Sequence, residues 1–509
     1  MLPVTQQTWI YIMSSTQSNR RIFLQGMASL FAYAGPLQAS PPWLPAFQGV
    51  YDKDEHGFIP LPIRGVVPDE LKGTLYRAGA MRFSSPDGQP YGHWFDGDGG
   101  IYAFRLDGSR SAQAAVKIVD SIGLQKEEKK QKRIYTGYGS QAPNALWKML
   151  TNQFKNVANT NVIHMNDELW ALVESSKPTR IHPDTLKTLG ETNPQNKIKG
   201  GFSAHPHRIA GKSDLFNVGL TFGPSLKLHF YHVHPNGVID TPISIRNPRT
   251  PIVHDFALNE QYATVFLPPV SVDLGKVIQH QGAVTKGMSW NQEEGTEIVV
   301  IPLAEPKKQI RFRVPAFYLW HVANSFMDGE DIIVDAVTYP NFDSNLALGG
   351  IPQGTPNNGG LEGRLTRMRI NPKREQVIHT PLCELRCEFP QVNPQYWGQR
   401  HQHVVIASFS SIEASKVGIQ DQLTLVNTHN ETIQTVSLGE GSYTGEAILV
   451  PKKSNPKESW VLVVGFQSTS NTSALYILDT ESFTNGPIAH IPYDGALPFS
   501  FHGHWNPKS

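Results

Sequence analysis

The sequence predicts an all-β fold, a seven-bladed β-propeller. Three observations predict it: a composition suited to strands and turns, a hairpin that recurs seven times, and histidines that recur in phase with the hairpin. Of 509 residues, 17% are charged and 10% aromatic, with 43 glycines and 38 prolines, a balance that favours many short strands over long helices or disorder. The length would allow three domains of roughly 150 residues, but all-β rings spend far more on one, and no linker cuts the chain. The Gly/Asn/Pro-rich stretch 348–363 reads as a surface loop within a repeat, and KEEKKQKR (126–133) as a solvated charged face. Forty-five basic residues against 44 acidic ones leave a formal charge of +1, which excludes the basic surplus of a phosphate-binding chain; no nucleic-acid partner is expected.

The repeat is a strand–turn–strand unit: YAFRLDGSRSAQAAVKIV (102–119), TRIHPDTLKTLG (179–190), FYHVHPNGVIDTPI (230–243), EIVVIPLAEPKKQIRFRV (297–314), TRMRINPKREQVIH (366–379), LTLVNTHNETIQTV (423–436) and ALYILDTESFTNGPIAHI (474–491). Each sets Asp, Asn, Pro or Gly at a turn between apolar runs, as a hairpin requires. An apolar strand precedes most of them: ELWALVE (168–174), LFNVGLTF (215–222), YATVFL (262–267), DIIVDAV (331–337), HVVIASF (403–409) and WVLVVGF (460–466). A spacing of about 62 residues leaves room for four strands and loops per unit, and four strands repeated radially make a propeller.

Just before the second strand of successive units stand His205, His254, His321, Glu388 and Glu446, and His502 follows the last hairpin, at intervals of 49, 67, 67, 58 and 56 residues. Residues at one strand position per blade converge on the ring axis. Four imidazoles without a thiolate suit a borderline transition metal, and ligand type alone admits iron(II) or zinc. Glu388 and Glu446, with Glu174 at the end of ELWALVE, suit the carboxylates that metal-bound imidazoles take as hydrogen-bond partners. His207, His401, His403 and His504 are out of phase, and His182, His234 and His429 fall at hairpin turns. The residues alone leave His502 and His504 equivalent. Cys383 and Cys387, the only cysteines, are expected to be ordinary buried thiols.

Residues 1–39 carry two charges, Arg20 and Arg21, followed by an apolar run of about 14 residues from Ile22. That run is shorter than the roughly 20 residues of a bilayer span. The order resembles a twin-arginine export signal with Ala39 as the cleavage point, so residues 40–509 are expected to be a single exported propeller domain, in the periplasm or its equivalent, soluble or peripheral to a membrane.

Ten segments resemble, in order, the carotenoid cleavage oxygenase family and most of all its bacterial apocarotenoid branch. They run from GTLYRAGA (73–80) and HWFDGDGGI (93–101) through RIYTGYGSQ (133–141), NVANTNV (156–162), SAHP (203–206), VHDFA (253–257), HVANSF (321–326), CEFP (387–390) and TGEAILVP (444–451) to FHGHW (501–505). The resemblance implies one Fe(II) per chain on the axis, held by His205, His254, His321 and His502 beneath a loop and helix cap, with O₂ as co-substrate. It selects His502 because the family's ligand is the histidine of its His-Gly dipeptide. It implies Glu174, Glu388 and Glu446 behind the ligands and places Thr160 near an open iron position. Arg77-Ala78-Gly79-Ala80 stands where many members read Arg-Asn-Gly-Pro, so the local loop shape there is what the resemblance leaves open.

The implied reaction is cleavage of a conjugated C=C bond of an apocarotenoid, an apolar polyene, into two carbonyl fragments. The alternative is cleavage of a stilbene, whose enzymes in this family hold a phenol with a tunnel Tyr and Lys; the sequence does not locate that pair. Leu146, Trp147, Leu150 and Phe154 lie near one face of a helical pattern in 145–156. In the family such a helix contributes a membrane-contacting apolar patch, while simple packing on the propeller explains the same pattern.

Overall fold

The structure is a computed structural model that describes residues 40–142, 154–222, 226–246, 250–355 and 359–508. Residues Pro42–Ser509 form one compact unit. The leader and most of the 145–156 segment, including Leu146, Trp147 and Leu150, lie outside the described residues.

Seven antiparallel sheets make a seven-bladed propeller. The seven hairpins read from sequence are the third and fourth strands of the seven sheets, counted from the inside. The apolar runs before them are the second strands, as in Glu168–Leu172 and Ser459–Gln467. The innermost strands are short except for the fifth blade's: Asn161–Met165, His207–Arg208, Phe256–Leu258, Tyr318–Asp328, Cys387–Gln391, Ala447–Pro451 and His502–Pro507.

Most second strands are apolar on both faces because each blade is sandwiched between two neighbours. Val404 and Val405 show it: Val404 packs with Leu365 and Tyr318 of the preceding blade, whereas Val405 packs with Val461 and Val463 of the following one. Each of the seven blade-to-blade interfaces has its own apolar cluster. The core is therefore a ring of seven cores, and no single interface carries the fold.

The ring closes twice. The last strand, His502–Pro507, pairs with Lys72–Arg82 and so becomes the inner strand of the first blade. The short strand Arg64–Gly65 pairs with Ala489–Tyr493 as the outer edge of the last blade. Arg77-Ala78-Gly79-Ala80 lies within the strand Lys72–Arg82 and is not a loop. Gly79 is needed there because a Cβ would come within 2.8 Å of the Ser500 Cα as the closing strand arrives.

Connections between second and third strands of several blades rise on one face and build the cap. They include the ribbon of Val270–Val272 and Met288–Trp290 with the helix Leu274–Gln279, and the helix Asp343–Gly350. An aromatic cluster of Trp43, Phe47, Trp94, Phe499 and Phe501 packs beside them. The charged run 126–133 begins within the helix Ile122–Lys130 and is largely exposed, except that Glu127 is buried. Among the described residues no helix is long and apolar enough to cross a membrane. Cys383 and Cys387 are free and buried.

Candidate metal centre

The heads of the inner strands converge. Thr160, His205, His254, His321, Glu388, Glu446 and His502 each stand at or just before the innermost strand of one blade, one residue from each of the seven. Thr160 is the member that the phase argument passed over; extending the repeat back by 45 residues from His205 reaches it.

Four imidazoles meet at this point: one ring nitrogen from each of His205, His254, His321 and His502 lies within 4.8 Å of the others. The Nε2 atoms of His205 and His254 are 3.0 Å apart, and those of His254 and His321 are 3.2 Å apart. His504 is not in the cluster. On the far side of three of the four rings, Nδ1 of His254 is 3.0 Å from Glu174 Oε1, Nδ1 of His321 is 2.5 Å from Glu388 Oε2, and Nδ1 of His502 is 2.8 Å from Glu446 Oε1. These carboxylates favour the Nδ1–H tautomer of His254, His321 and His502, so the Nε2 lone pairs of those three rings point inward. Lone pairs facing at 3.2 Å, as those of His254 and His321 do, repel unless a cation lies between them. Adjacent ligands of a metal with M–N bonds of about 2.1 Å would be about 3.0–3.4 Å apart, close to the separations seen. The donor set therefore fits a metal ion.

The charges agree. Burial, followed by the neighbouring imidazoles, drives His205 well below the usual histidine range, and burial also lowers His502 despite Glu446. Burial acts the same way on His321, but Glu388 outweighs it and raises that ring. Burial would raise Glu174 and Glu446; the imidazole beside each, and Arg77 in the case of Glu446, hold both below the usual carboxylate value. Among the described residues no carboxylate pairs with His205. Glu388 also accepts from Tyr339 Oη at 2.9 Å and from the Phe389 amide at 2.7 Å. Replacing it by glutamine should weaken metal affinity about 10- to 100-fold while leaving the ligands in place, measured by metal titration of the apoprotein.

Two supporting residues escaped the sequence reading. Arg77, 2% exposed, donates from Nη1 to Glu446 Oε2 at 2.6 Å, from Nε to Ser500 Oγ at 2.9 Å and from Nη2 to the Phe501 carbonyl at 3.0 Å. It belongs to the RAGA segment, which is strand rather than loop. Asp255, next to His254, accepts from the Val322 amide and from His207 Nε2, both at 2.7 Å, and so ties the head of one blade to the strand that carries His321.

His504 sits on the closing strand two residues beyond His502. Burial, with His164 and Arg208, lowers its pKa to about 4 from 6.5. Because the folded value is the lower one, this ring's contribution to stability is intact above pH 6.5 and is lost as pH falls toward 4. The loss is about 3 kcal/mol. Urea unfolding at pH 7 and pH 4.5 should show it, and His504→Gln should flatten that part of the profile.

Above the imidazoles lies a cavity of about 790 Å³, within the range of small-molecule sites. Its walls include Trp94, Phe95, Trp320, Phe389 and Phe501, and Thr160 opens onto it. The Thr160 hydroxyl donates to Asn159 Oδ1 at 3.0 Å. Phe154 also lines the cavity and packs edge-on against Phe222, with ring centroids 5.7 Å apart. Lys155 Nζ is 2.5 Å from Asp98 and 2.7 Å from Glu127, and its side chain is 7% exposed. Burial opposes its charge, but Asp98, Tyr91 and Glu127 outweigh burial and keep it protonated.

A family model described as "Retinal pigment epithelial membrane protein" matches residues 50–507. The chain is 28% identical to apocarotenoid-15,15'-oxygenase of Synechocystis over 91% of this chain and 96% of that one. It is 24% identical to resveratrol cleavage oxygenase 1 of Aspergillus fumigatus over 87% of this chain and 91% of that one. The structure of the cobalt-substituted Synechocystis apocarotenoid oxygenase superposes with a TM-score of 0.82 at 25% identity, over 92% of this chain and 98% of that one.

Proposed function

The chain belongs to the retinal pigment epithelial membrane protein family of carotenoid cleavage oxygenases, and on that premise we propose that it is an Fe(II)-dependent apocarotenoid dioxygenase. The reaction is R–CH=CH–R′ + O₂ → R–CHO + OHC–R′, in which both oxygen atoms end in carbonyl groups. The observation that carries the reading is the four-imidazole cluster, backed by three carboxylates, at the floor of an aromatic-walled cavity.

His205, His254, His321 and His502 would hold the iron, and the bound iron supplies the dioxygen chemistry that no side chain here can. Neutral ligands leave the centre cationic. Glu174, Glu388 and Glu446 hold the rings in register, and Arg77 holds Glu446. The aromatic walls take up a flat, apolar polyene and exclude water from the floor of the cavity, so that the double bond lies in one pose beside the imidazoles. Thr160, at the head of its blade, lines the open side.

The stilbene reading requires a tyrosine and a lysine free to grip a phenol. Among the described cavity residues the lysine is Lys155, and it is committed to Asp98 and Glu127; its tyrosine neighbour, Tyr91, donates to Asp98 at 2.7 Å. This favours the polyene. The test is anaerobic Fe(II) reconstitution, then O₂ with paired panels of apocarotenals and hydroxystilbenes, with products read by mass spectrometry. Aldehyde pairs from the polyenes are expected; benzaldehydes would transfer the protein to the stilbene reading, and intact substrates with iron bound would overturn both.

Export by the twin-arginine route and membrane contact through 145–156 are parts of the same proposal, supported by Arg20-Arg21 with its apolar run and by the apolar helical pattern. Sequencing the amino terminus of the secreted protein and flotation with liposomes test them.

A further inference from the structure

Beyond the central cluster, the described residues hold one other group of metal-ligating side chains: Asp214, His232 and His234, on the third blade. It lies far from the cavity. The strand Leu215–Thr221 runs from this group to Phe222, which lines the cavity wall, a path of about 23 Å for seven residues.

His232 and His234 are two residues apart at the end of the strand Lys227–Val233, so they share a face. The register Leu215↔Val233 brings Asp214 alongside them. Asp214 Oδ1 is 2.8 Å from His232 Nε2 and 3.4 Å from His234 Nδ1. On the other side, Asp240 Oδ2 is 2.9 Å from His232 Nδ1 and Asp240 Oδ1 is 3.0 Å from His234 Nε2. The His232 ring stacks flat on Phe216, with centroids 4.7 Å apart and planes 6° apart, which fixes its orientation. The hairpin that carries Asp240 is closed by Pro235-Asn236-Gly237, with Gly237 at φ +78°.

The hydrogen count is the decisive feature. A neutral imidazole has one N–H, so two rings bring two donors to four nitrogen–oxygen contacts. The other two set a nitrogen lone pair against Asp214 Oδ1, at 2.8 Å for His232 and 3.4 Å for His234, and the closer one calls for positive charge between the two atoms. We propose that Asp214 Oδ1, His232 Nε2 and His234 Nδ1 are ligands of a divalent transition-metal site of the zinc type, with Asp240 accepting the N–H of both rings.

A divalent ion against two carboxylates closes the charge to zero. Two imidazoles and one carboxylate suit zinc and its borderline neighbours, whereas calcium and magnesium seek all-oxygen cages. Asp240 then plays the orienting part that carboxylates commonly take behind metal-bound histidines. His232 is 30% exposed and His234 36% exposed, which leaves room for entry and for a water ligand. The ion joins the turn before Leu215 to the outer hairpin, as a staple across the third blade.

The test uses untagged protein with iron in its central site, titrated calorimetrically with zinc chloride, with iron content measured before and after. Uptake of one zinc per chain without release of iron is expected. Asp240→Asn should weaken it about 10- to 100-fold, and His234→Ala should remove it, with the iron content of both variants unchanged as proof of fold. His182→Ala, at an exposed hairpin of another blade, should bind zinc as the unaltered protein does. Absence of uptake, uptake only in exchange for iron, or equal uptake by both site variants overturns the proposal and leaves a cluster neutralised by protons.

Discussion

His254→Ala abolishes turnover, by a factor of about 10³ or more, and the purified variant carries little metal. The effect is large because His254 sits in the middle of the row: its Nε2 is 3.0 Å from that of His205 and 3.2 Å from that of His321. Without it the remaining nitrogens no longer surround one point, and a metal centre contributes several kcal/mol to the chemical step, each 1.36 kcal/mol being tenfold in rate. Glu174 also loses the imidazole that holds its charge. The seven apolar interfaces do not involve His254, so the melting temperature of the apoprotein should change little. Metal content by mass spectrometry, kcat and a thermal melt together separate loss of the site from loss of the fold.

Arg77→Leu has the largest expected effect on stability, about 3–5 kcal/mol, because it removes one partner of a buried ion pair and strands the other. Arg77 and Glu446 are 2% and 3% exposed, and no water-facing route remains for the carboxylate. Glu446 would keep Gln391, the Gly503 amide and His502 as donors, none of them a fixed positive charge. Chemical denaturation measures the loss. The double variant Arg77→Leu/Glu446→Gln should recover a substantial part of it, and non-additivity in that cycle isolates the pair from the packing of the arginine stem. Because Glu446 orients His502, Arg77→Leu should also weaken metal binding, whereas the double variant recovers stability without recovering affinity.

Much of the fold was legible because turn chemistry is local. All seven outer hairpins could be read from Asp, Asn, Pro and Gly set between apolar runs, and runs such as HVVIASF betrayed strands buried on both faces. The axial residues were legible because the repeat carries position: residues one blade apart in sequence share a place in the ring. Thr160 fits the same rule, but its residue type did not mark it, and only the resemblance of its segment NVANTNV singled it out. The choice of His502 over His504 was not legible from spacing, since both lie on one strand and alternate with Gly503. Arg77 and Lys155 were illegible for another reason. Their partners, Glu446 for the first and Asp98 and Glu127 for the second, lie 369, 57 and 28 residues away, and no local pattern announces such pairings. Closure was likewise invisible, because a strand of six residues at 502–507 says nothing of the strand it will join.

That closure turns the metal into a latch. The strand bearing His502 is held in the first blade by its pairing with Lys72–Arg82, and the other three ligands belong to the third, fourth and fifth blades. Peeling the ring apart at its join therefore withdraws one ligand from the set, so breathing of the propeller and escape of the ion are a single event. By mass action, free metal at 100 times its dissociation constant would hold the closed form by about 2.7 kcal/mol. Amide hydrogens along 72–82 and 502–507 should then exchange more slowly in the loaded protein than in the stripped one, while those of the outer hairpins keep their pace. Scarcity of metal would be felt first as a loosening of the ring, before any loss of its blades.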